Sequence, residues 1–245
     1  MSEAGFLFWV NVIIPILIAP IYFVMSYYVK KIKPLRLLIM GEKTYQYAFW
    51  AFFFFGLFLI SRPLQILLGG DPAPLIISSI REFIMIGLFS PCIAVGVINQ
   101  IFYDSDLPSG ISRSIFFFCI ILASIFVFFN IKAIGGAHLI FEYNFLGYNV
   151  KAYDGNWFLA LNDQSKFVPF LFVIRSISPL LVLLLSSILA LWKSVVFPKD
   201  SIYSNLPKKF YLEGFSLLIF SISILFTGIM AYFWNFQNQW YYLGA

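Results

Sequence analysis

Residues 45–68 read YQYAFWAFFFFGLFLISRPLQILL, an apolar run of 24 residues in which Arg62 is the only charged side chain. A helix rises about 1.5 Å per residue, so about 20 apolar residues cross the hydrocarbon core of a bilayer. Outward from this run, similar stretches occupy residues 6–29, 74–102, 115–131, 168–192 and 211–236. The sequence therefore predicts an all-α integral membrane protein, a bundle of six transmembrane helices.

The composition supports the same class of protein. Hydrophobic residues make up 61% of the chain, charged residues 11%, and the mean hydropathy is +0.90. A soluble domain carries about 25% charged residues, so this composition excludes a soluble globule, a disordered chain and a nucleic-acid binder. Cys92 and Cys119 lie in apolar stretches and indicate no disulfide framework. We expect a single polytopic membrane domain over residues 1–245, with the lipid bilayer as its partner.

The loop charges predict an orientation. Ten lysines and arginines fall on one side of the predicted bundle and three on the other. The larger set is Lys30, Lys31, Lys33, Arg36, Lys43, Arg113, Lys193, Lys199, Lys208 and Lys209, and the smaller set is Lys132, Lys151 and Lys166. Basic loops remain in the cytoplasm, so we expect a bacterial inner-membrane protein with its N-terminus outside.

Two segments outside the spans carry further signals. In residues 133–167, Asp154-Gly155 separates β-prone runs, which predicts a small extracytoplasmic β-hairpin cap with its turn at that dipeptide. After the sixth stretch, Trp240, Tyr241 and Tyr242 form an aromatic cluster typical of a membrane interface. This cluster is either an outer anchor or the start of a seventh helix that leads to a C-terminal output domain.

Charged residues inside the spans are the main functional signal. Arg62, Arg81 and Arg175 each lie about 9–11 Å below the outer boundary, and Glu82 is the carboxylate beside them. A guanidinium group binds carboxylate or phosphate through two parallel hydrogen bonds, so these residues predict a ligand-binding site for an anion. The competing interpretation is that the arginines reach lipid head groups, or that one forms a structural pair with Glu82.

Prolines accompany these charges. Pro63 follows Arg62, while Pro15 and Pro91 remove the helical partners of the Asn11 and Gly87 carbonyls. Pro179 does the same to the carbonyl of Arg175. Such kinks are common at binding sites and hinges in membrane proteins, and they are also simply tolerated there.

Missing motifs favour a non-catalytic function. The spacing of His138 and Glu142 in an extended loop predicts no metal site, and the chain contains no hydrolase or nucleotide-binding motif. We expect no enzyme activity, no cofactor and no metal. The sequence favours a sensory or ligand-binding module for signal transduction, which binds a small anionic or amphipathic ligand in its outer half. The alternatives are a transporter or channel subunit for an anionic or lipid-like solute, and a structural subunit that assembles with partner membrane subunits.

Overall fold

The computed structural model describes residues 3–36, 42–67, 73–101, 109–133, 137–155, 178–196 and 206–233, and the account below concerns these ranges. They are helical except for one antiparallel pair of strands. The first helical segment runs without a break through α1 (Glu3–Phe8), a π-helical segment π1 (Trp9–Ile13) and α2 (Ile14–Arg36). The remaining elements are α3 (Glu42–Leu67), α4 (Ala73–Phe83), π2 (Ile84–Phe89), α5 (Ser90–Ile101), α6 (Ser109–Ala133), β1 (Ala137–Phe145), β2 (Tyr148–Gly155), α7 (Ser178–Val196) and α8 (Leu206–Phe233).

Five helical stretches within the described ranges are long and apolar enough to cross a membrane. They are Ala4–Lys31, Lys43–Leu67, Ser79–Gln100, Gly110–Phe128 and Pro179–Val196. They overlap the first five predicted stretches, so the prediction of a helical membrane protein is confirmed. The sixth stretch forms α8, which is not one of these five, and the count of six spans stays a prediction. The aromatic cluster at residues 240–242 lies outside the described residues.

The outer surface of the bundle is apolar. On α2, Leu17 and Val24 are exposed, and on α6 Phe117 and Phe118 are exposed in the same way. In water such a surface would be costly, because burial of apolar area is the main force that drives folding. In a bilayer it faces lipid tails, which accounts for large side chains outside and polar side chains inside.

The centre of the bundle combines aromatic rings with small residues. The ring of Phe55 on α3 lies 5.0 Å from that of Phe89 on π2 and 5.6 Å from that of Phe220 on α8. A Cβ atom at Gly87 would lie 3.0 Å from the Cβ of Ala123 on α6. Small residues let helix backbones approach closely, which is how helices without a hydrophobic driving force associate in membranes.

Basic residues collect at one end of this bundle. The start of α3 meets the start of α6 at this end, where the rings of Tyr47 and Phe116 stack with their centres 5.8 Å apart. Gln100 at the end of α5 hydrogen-bonds Glu213 near the start of α8. The helix ends that meet here carry, among others, Lys30, Lys31, Lys43, Arg113, Lys193, Lys208 and Lys209. The hairpin lies at the opposite end, where Phe8 of α1 contacts the rings of Tyr143 and Phe145.

The hairpin exists, but the predicted position of its turn is wrong. Strand β1 pairs with β2 so that Phe145 faces Tyr148, and Leu146 and Gly147 form the turn with φ angles of 51° and 84°. Asp154 and Gly155 instead pair with His138 and Ala137 at the far end of the ladder. Two central residues with positive φ are the hallmark of a type I′ turn, whose twist matches that of the strands.

Glycine substitutions test whether the turn lies at Leu146-Gly147, as the structure has it, or at Asp154-Gly155. We expect Gly147→Val to destabilise the hairpin by about 1–2 kcal/mol, because a β-branched residue is strained at positive φ. Gly155→Val is the matched control, since Gly155 is a strand residue paired with Ala137. Hydrogen exchange of the β1 and β2 amides measures the effect. Equal loss of protection in both variants would contradict the turn assignment.

A second substitution tests the contact between α7 and α8. A Cβ atom at Gly214 would lie 2.9 Å from the backbone nitrogen of Leu191, whereas one at Gly110 would meet nothing within 4 Å. We expect Gly214→Ala to destabilise the protein by about 1–3 kcal/mol, because the two backbones must separate. Gly110→Ala should leave stability unchanged or raise it by up to about 1 kcal/mol. Thermal unfolding in detergent compares the two, and the same Tm for both variants would rule out this close contact.

Candidate functional site

The π-helical segment π1 positions the first residue of the site. Pro15 has no N–H, so the turn before it cannot complete its hydrogen bonds, and the chain widens into a π turn that ends at Ile13. Asn11 lies within this segment and is buried. Its Nδ2 donates to the carbonyl of Leu7 at 3.0 Å, which leaves Oδ1 directed away from its own helix. The widened turn therefore presents a side-chain acceptor to the interior of the bundle.

Arg62 takes up that acceptor from the neighbouring helix. Its Nε donates to Oδ1 of Asn11 at 3.0 Å, and its Nη1 donates to Oε1 of Gln65, one turn further along α3, at 3.2 Å. The side chain of Arg62 is only 4% exposed. Neutral amide oxygens thus hold a guanidinium group inside the bundle. They accept from two of its nitrogen donors, Nε and Nη1.

Arg81 and Glu82 reach the interior from α4. The guanidinium carbon of Arg81 lies 4.4 Å from the ring centre of Phe58, a residue one turn before Arg62 on α3. Arg81 is 4% exposed and Glu82 is 6% exposed. Because residues four apart share a helix face, this contact brings Arg81 to the part of α3 that carries Arg62.

Burial answers part of the question that the sequence left open. Side chains that reach lipid head groups remain exposed at their tips, and Arg62 and Arg81 do not. Burial of these two arginines argues against the interpretation in which they extend to the head groups, and the structural pair with Glu82 stays a prediction. The contact with Phe58 places Arg81 in the interface of α3 and α4, Glu82 is buried next to it in the chain, and Arg175 lies outside the described residues. A single anion site that unites all of them stays a prediction.

Sequence analysis missed Asn11 and Gln65 as members of the site. Both are uncharged, so the search for charges within spans did not select them. A search for any amide side chain within a span would have found both, because each lies in an apolar stretch. Their position beside Arg62 depends on which helix faces meet, and hydropathy alone does not give that information.

Gln65 has a donor that remains unused. Its side chain is 1% exposed, and among the described residues no acceptor lies within hydrogen-bond distance of Nε2. Because Oε1 already accepts from Arg62, exchanging the two ends of the amide would place two donors against each other. A buried donor without a partner costs about 1–3 kcal/mol, and more where no water is present.

The arrangement is suited to binding a hydrogen-bond acceptor. It offers guanidinium and amide donors next to each other in a water-poor interior, where charge-assisted hydrogen bonds are strong. Across the part of the chain that the structure describes, His, Cys, Asp and Glu side chains form no group of three able to hold a metal ion. The site is thus a group of buried polar side chains, which we call the Arg62 cluster: Asn11, Arg62, Gln65, Arg81 and Glu82.

The fold and the site define a helical membrane protein with a buried polar cluster near one end. Comparison with known proteins adds no narrower class, because no family model, no curated protein and no solved structure matches the chain.

Two asparagines allow the contribution of the Arg62 contact to be isolated. Asn11 and Asn99 both donate to the carbonyl four residues earlier, at 3.0 and 2.7 Å, but only Asn11 is shown to accept from an arginine. We expect Asn11→Leu to cost about 2–4 kcal/mol, since it leaves a buried guanidinium donor without its acceptor. Asn99→Leu should cost about 1 kcal/mol or less. Unfolding in denaturant measures both, and equal losses would contradict a structural role for the Arg62 bond.

Proposed function

We propose that the protein is a non-catalytic sensory or ligand-binding module of the membrane, which binds a small anionic ligand in the outer half of its helix bundle. Arg62 and Arg81 supply the positive charge, with Gln65 as an additional donor. Glu82 orients the arginines, and Arg175 completes the site from the fifth predicted span. Binding at this site changes the packing of the helices, and their basic ends pass the change to the cytoplasm.

The unused donor on Gln65 is the observation that carries this proposal. Nε2 lies next to a guanidinium group that is already held in place by Asn11, and both are removed from solvent. An anion accepts from Nε2 and is also attracted by the positive charge of the neighbouring guanidinium group, whereas a water molecule provides only the hydrogen bond. This double match favours an anion over a neutral ligand.

The two π-helical segments support a response to binding. Asn11 lies within π1, and Arg81 and Glu82 come directly before π2. At the end of π2, the Oγ and the N–H of Ser90 both donate to the carbonyl of Met85, so a side-chain bond supplements the backbone bond there. A π turn converts to an α turn with a small change in helix register, so both segments are suited to switching between two packings.

The topology that accompanies this function has six spans and an extracytoplasmic N-terminus in a bacterial inner membrane. The collection of lysines and arginines at one end of the bundle supports a cytoplasmic position for that end. The hairpin at the other end then covers the outer mouth, and α8 is the sixth span.

Replacement of Gln65 by Glu tests the anion site. The new carboxylate removes the unused donor and pairs with Arg62, so it acts as an internal anion. We expect Gln65→Glu to raise the Tm of the ligand-free protein by roughly 2–8 °C. The wild-type Tm should rise with added phosphate or acetate, as expected for a ligand that binds only the folded state. The variant should lose this response.

Two controls accompany this measurement. Gln46→Glu makes the same substitution on the exposed surface of α3 and should leave the anion response intact. Arg62→Lys should weaken the response, because lysine lacks the planar fork, and Arg62→Leu should abolish it. Phosphate and acetate distinguish the two classes of anion. A wild-type Tm that neither anion changes, or an unchanged response in Gln65→Glu, would overturn the proposal.

A further inference from the structure

A cavity of about 590 Å³ lies between the hairpin and the bundle, beside the Arg62 cluster. Its helical wall comes from the first helical segment and the end of α3, and its other wall comes from the hairpin. The volume falls within the range of small-molecule sites. Most of the lining is apolar, and the charged side chain in it is Lys151 on β2.

The apolar wall is elongated. Phe8, Val12 and Ile16 follow each other at intervals of four residues, so they form one stripe along the first helical segment. Eight residues of helix span about 12 Å, which gives the length of this stripe. Ile16 is 38% exposed, so the deep end of the stripe opens toward the lipid-facing surface. The shape therefore fits an alkyl chain that enters from the bilayer.

The opposite end of the cavity is polar and already binds a carboxylate. Asn149 and Lys151 line the cavity, and both contact the side chain of Glu142. Asn149 donates to Oε1 of Glu142 from Nδ2, and the Lys151 ammonium lies 3.5 Å from the same oxygen. These contacts lower the pKa of Glu142, the amide of Asn149 more than the charge of Lys151.

The contact with Glu142 is replaceable. The side chains of Lys151 and Glu142 are 45% and 43% exposed, and exposed ion pairs contribute little to stability. A carboxylate on a ligand can therefore exchange with that of Glu142 at little cost. Glu142 thus occupies the head-group position by intramolecular contact until a ligand replaces it.

We propose that this cavity binds a single-chain carboxylate amphiphile from the bilayer, with its carboxylate on Lys151 and Asn149 and its alkyl chain along Phe8, Val12 and Ile16. Charge complementarity at the hairpin end and the apolar stripe at the other end together select a chain with one anionic head. The proposal goes beyond the anion site at Arg62, because its polar contacts are on the hairpin.

Displacement of a fluorescent fatty acid from the whole protein tests the proposal. The protein is placed in phosphatidylcholine nanodiscs with dansylaminoundecanoate, and empty nanodiscs give the background from partition into lipid. Dodecanoate should displace the fluorescent probe. Dodecanol and dodecyltrimethylammonium, which have the same chain with a neutral and a cationic head, should displace it poorly.

Two substitutions that change the local charge in opposite directions test where the head group binds. We expect Lys151→Gln to weaken the binding of dodecanoate about three- to tenfold, because it removes the positive charge. Glu142→Gln should strengthen it by a similar factor, because it removes the competing carboxylate. A purely structural role for this pair would move both variants in the same direction, which would overturn the head-group assignment.

Two neighbouring substitutions test the chain position. Ile16→Trp fills the deep end of the cavity and should abolish displacement, whereas Leu17→Trp adds the same bulk at a residue that does not line the cavity and is 63% exposed. Equal binding in these two variants, or equal displacement by dodecanol and dodecanoate, would refute the cavity as the binding site. Arg62→Leu should bind dodecanoate normally. A failure of the proposed cavity site can therefore be distinguished from a failure of the proposed anion site at Arg62.

Discussion

A guanidinium group inside a membrane bundle needs acceptors from the protein, because lipid tails supply none. Arg62 obtains them from Asn11 on the first helical segment and from Gln65 on its own helix. The bond to Asn11 fixes how these two helices lie against each other. It also requires π1, since the widened turn before Pro15 carries Asn11 toward α3. The packing of the first helical segment on α3 at this end of the bundle depends on this contact.

Departures from regular helix geometry lie next to the polar residues. Both π segments end two residues before a proline, π1 before Pro15 and π2 before Pro91. Proline removes a backbone donor, and just before Pro91 the carbonyl of Met85 accepts from both the N–H and the Oγ of Ser90. Proteins that break local rules do so most often at functional sites, which agrees with the position of Asn11 within π1 and of Arg81 and Glu82 in the last turn of α4 before π2.

The end of the molecule that carries the hairpin holds two polar groups in different physical surroundings. In the Arg62 cluster the contacts are buried, so loss of one partner is costly and the cluster keeps its geometry. The contact of Glu142 with Lys151 is exposed and weak, so it exchanges readily. One arrangement is suited to tight, specific recognition of charge, and the other to an exchangeable ligand from the bilayer.

The sequence by itself determined the class of protein and the approximate positions of five helices long enough to cross a membrane, because bilayer thickness acts on each segment separately. Only the tertiary structure decided which helix faces meet, and hence the roles of Asn11 and Gln65. It also decided the hairpin register. Asp154-Gly155 has the stronger local turn signal, but pairing along the two strands places the turn at Leu146-Gly147, where a leucine accepts a positive φ. Local preference contributes about 1–2 kcal/mol per residue, and a ladder of cross-strand bonds together with the contacts of Tyr143 and Phe145 on Phe8 outweighs it.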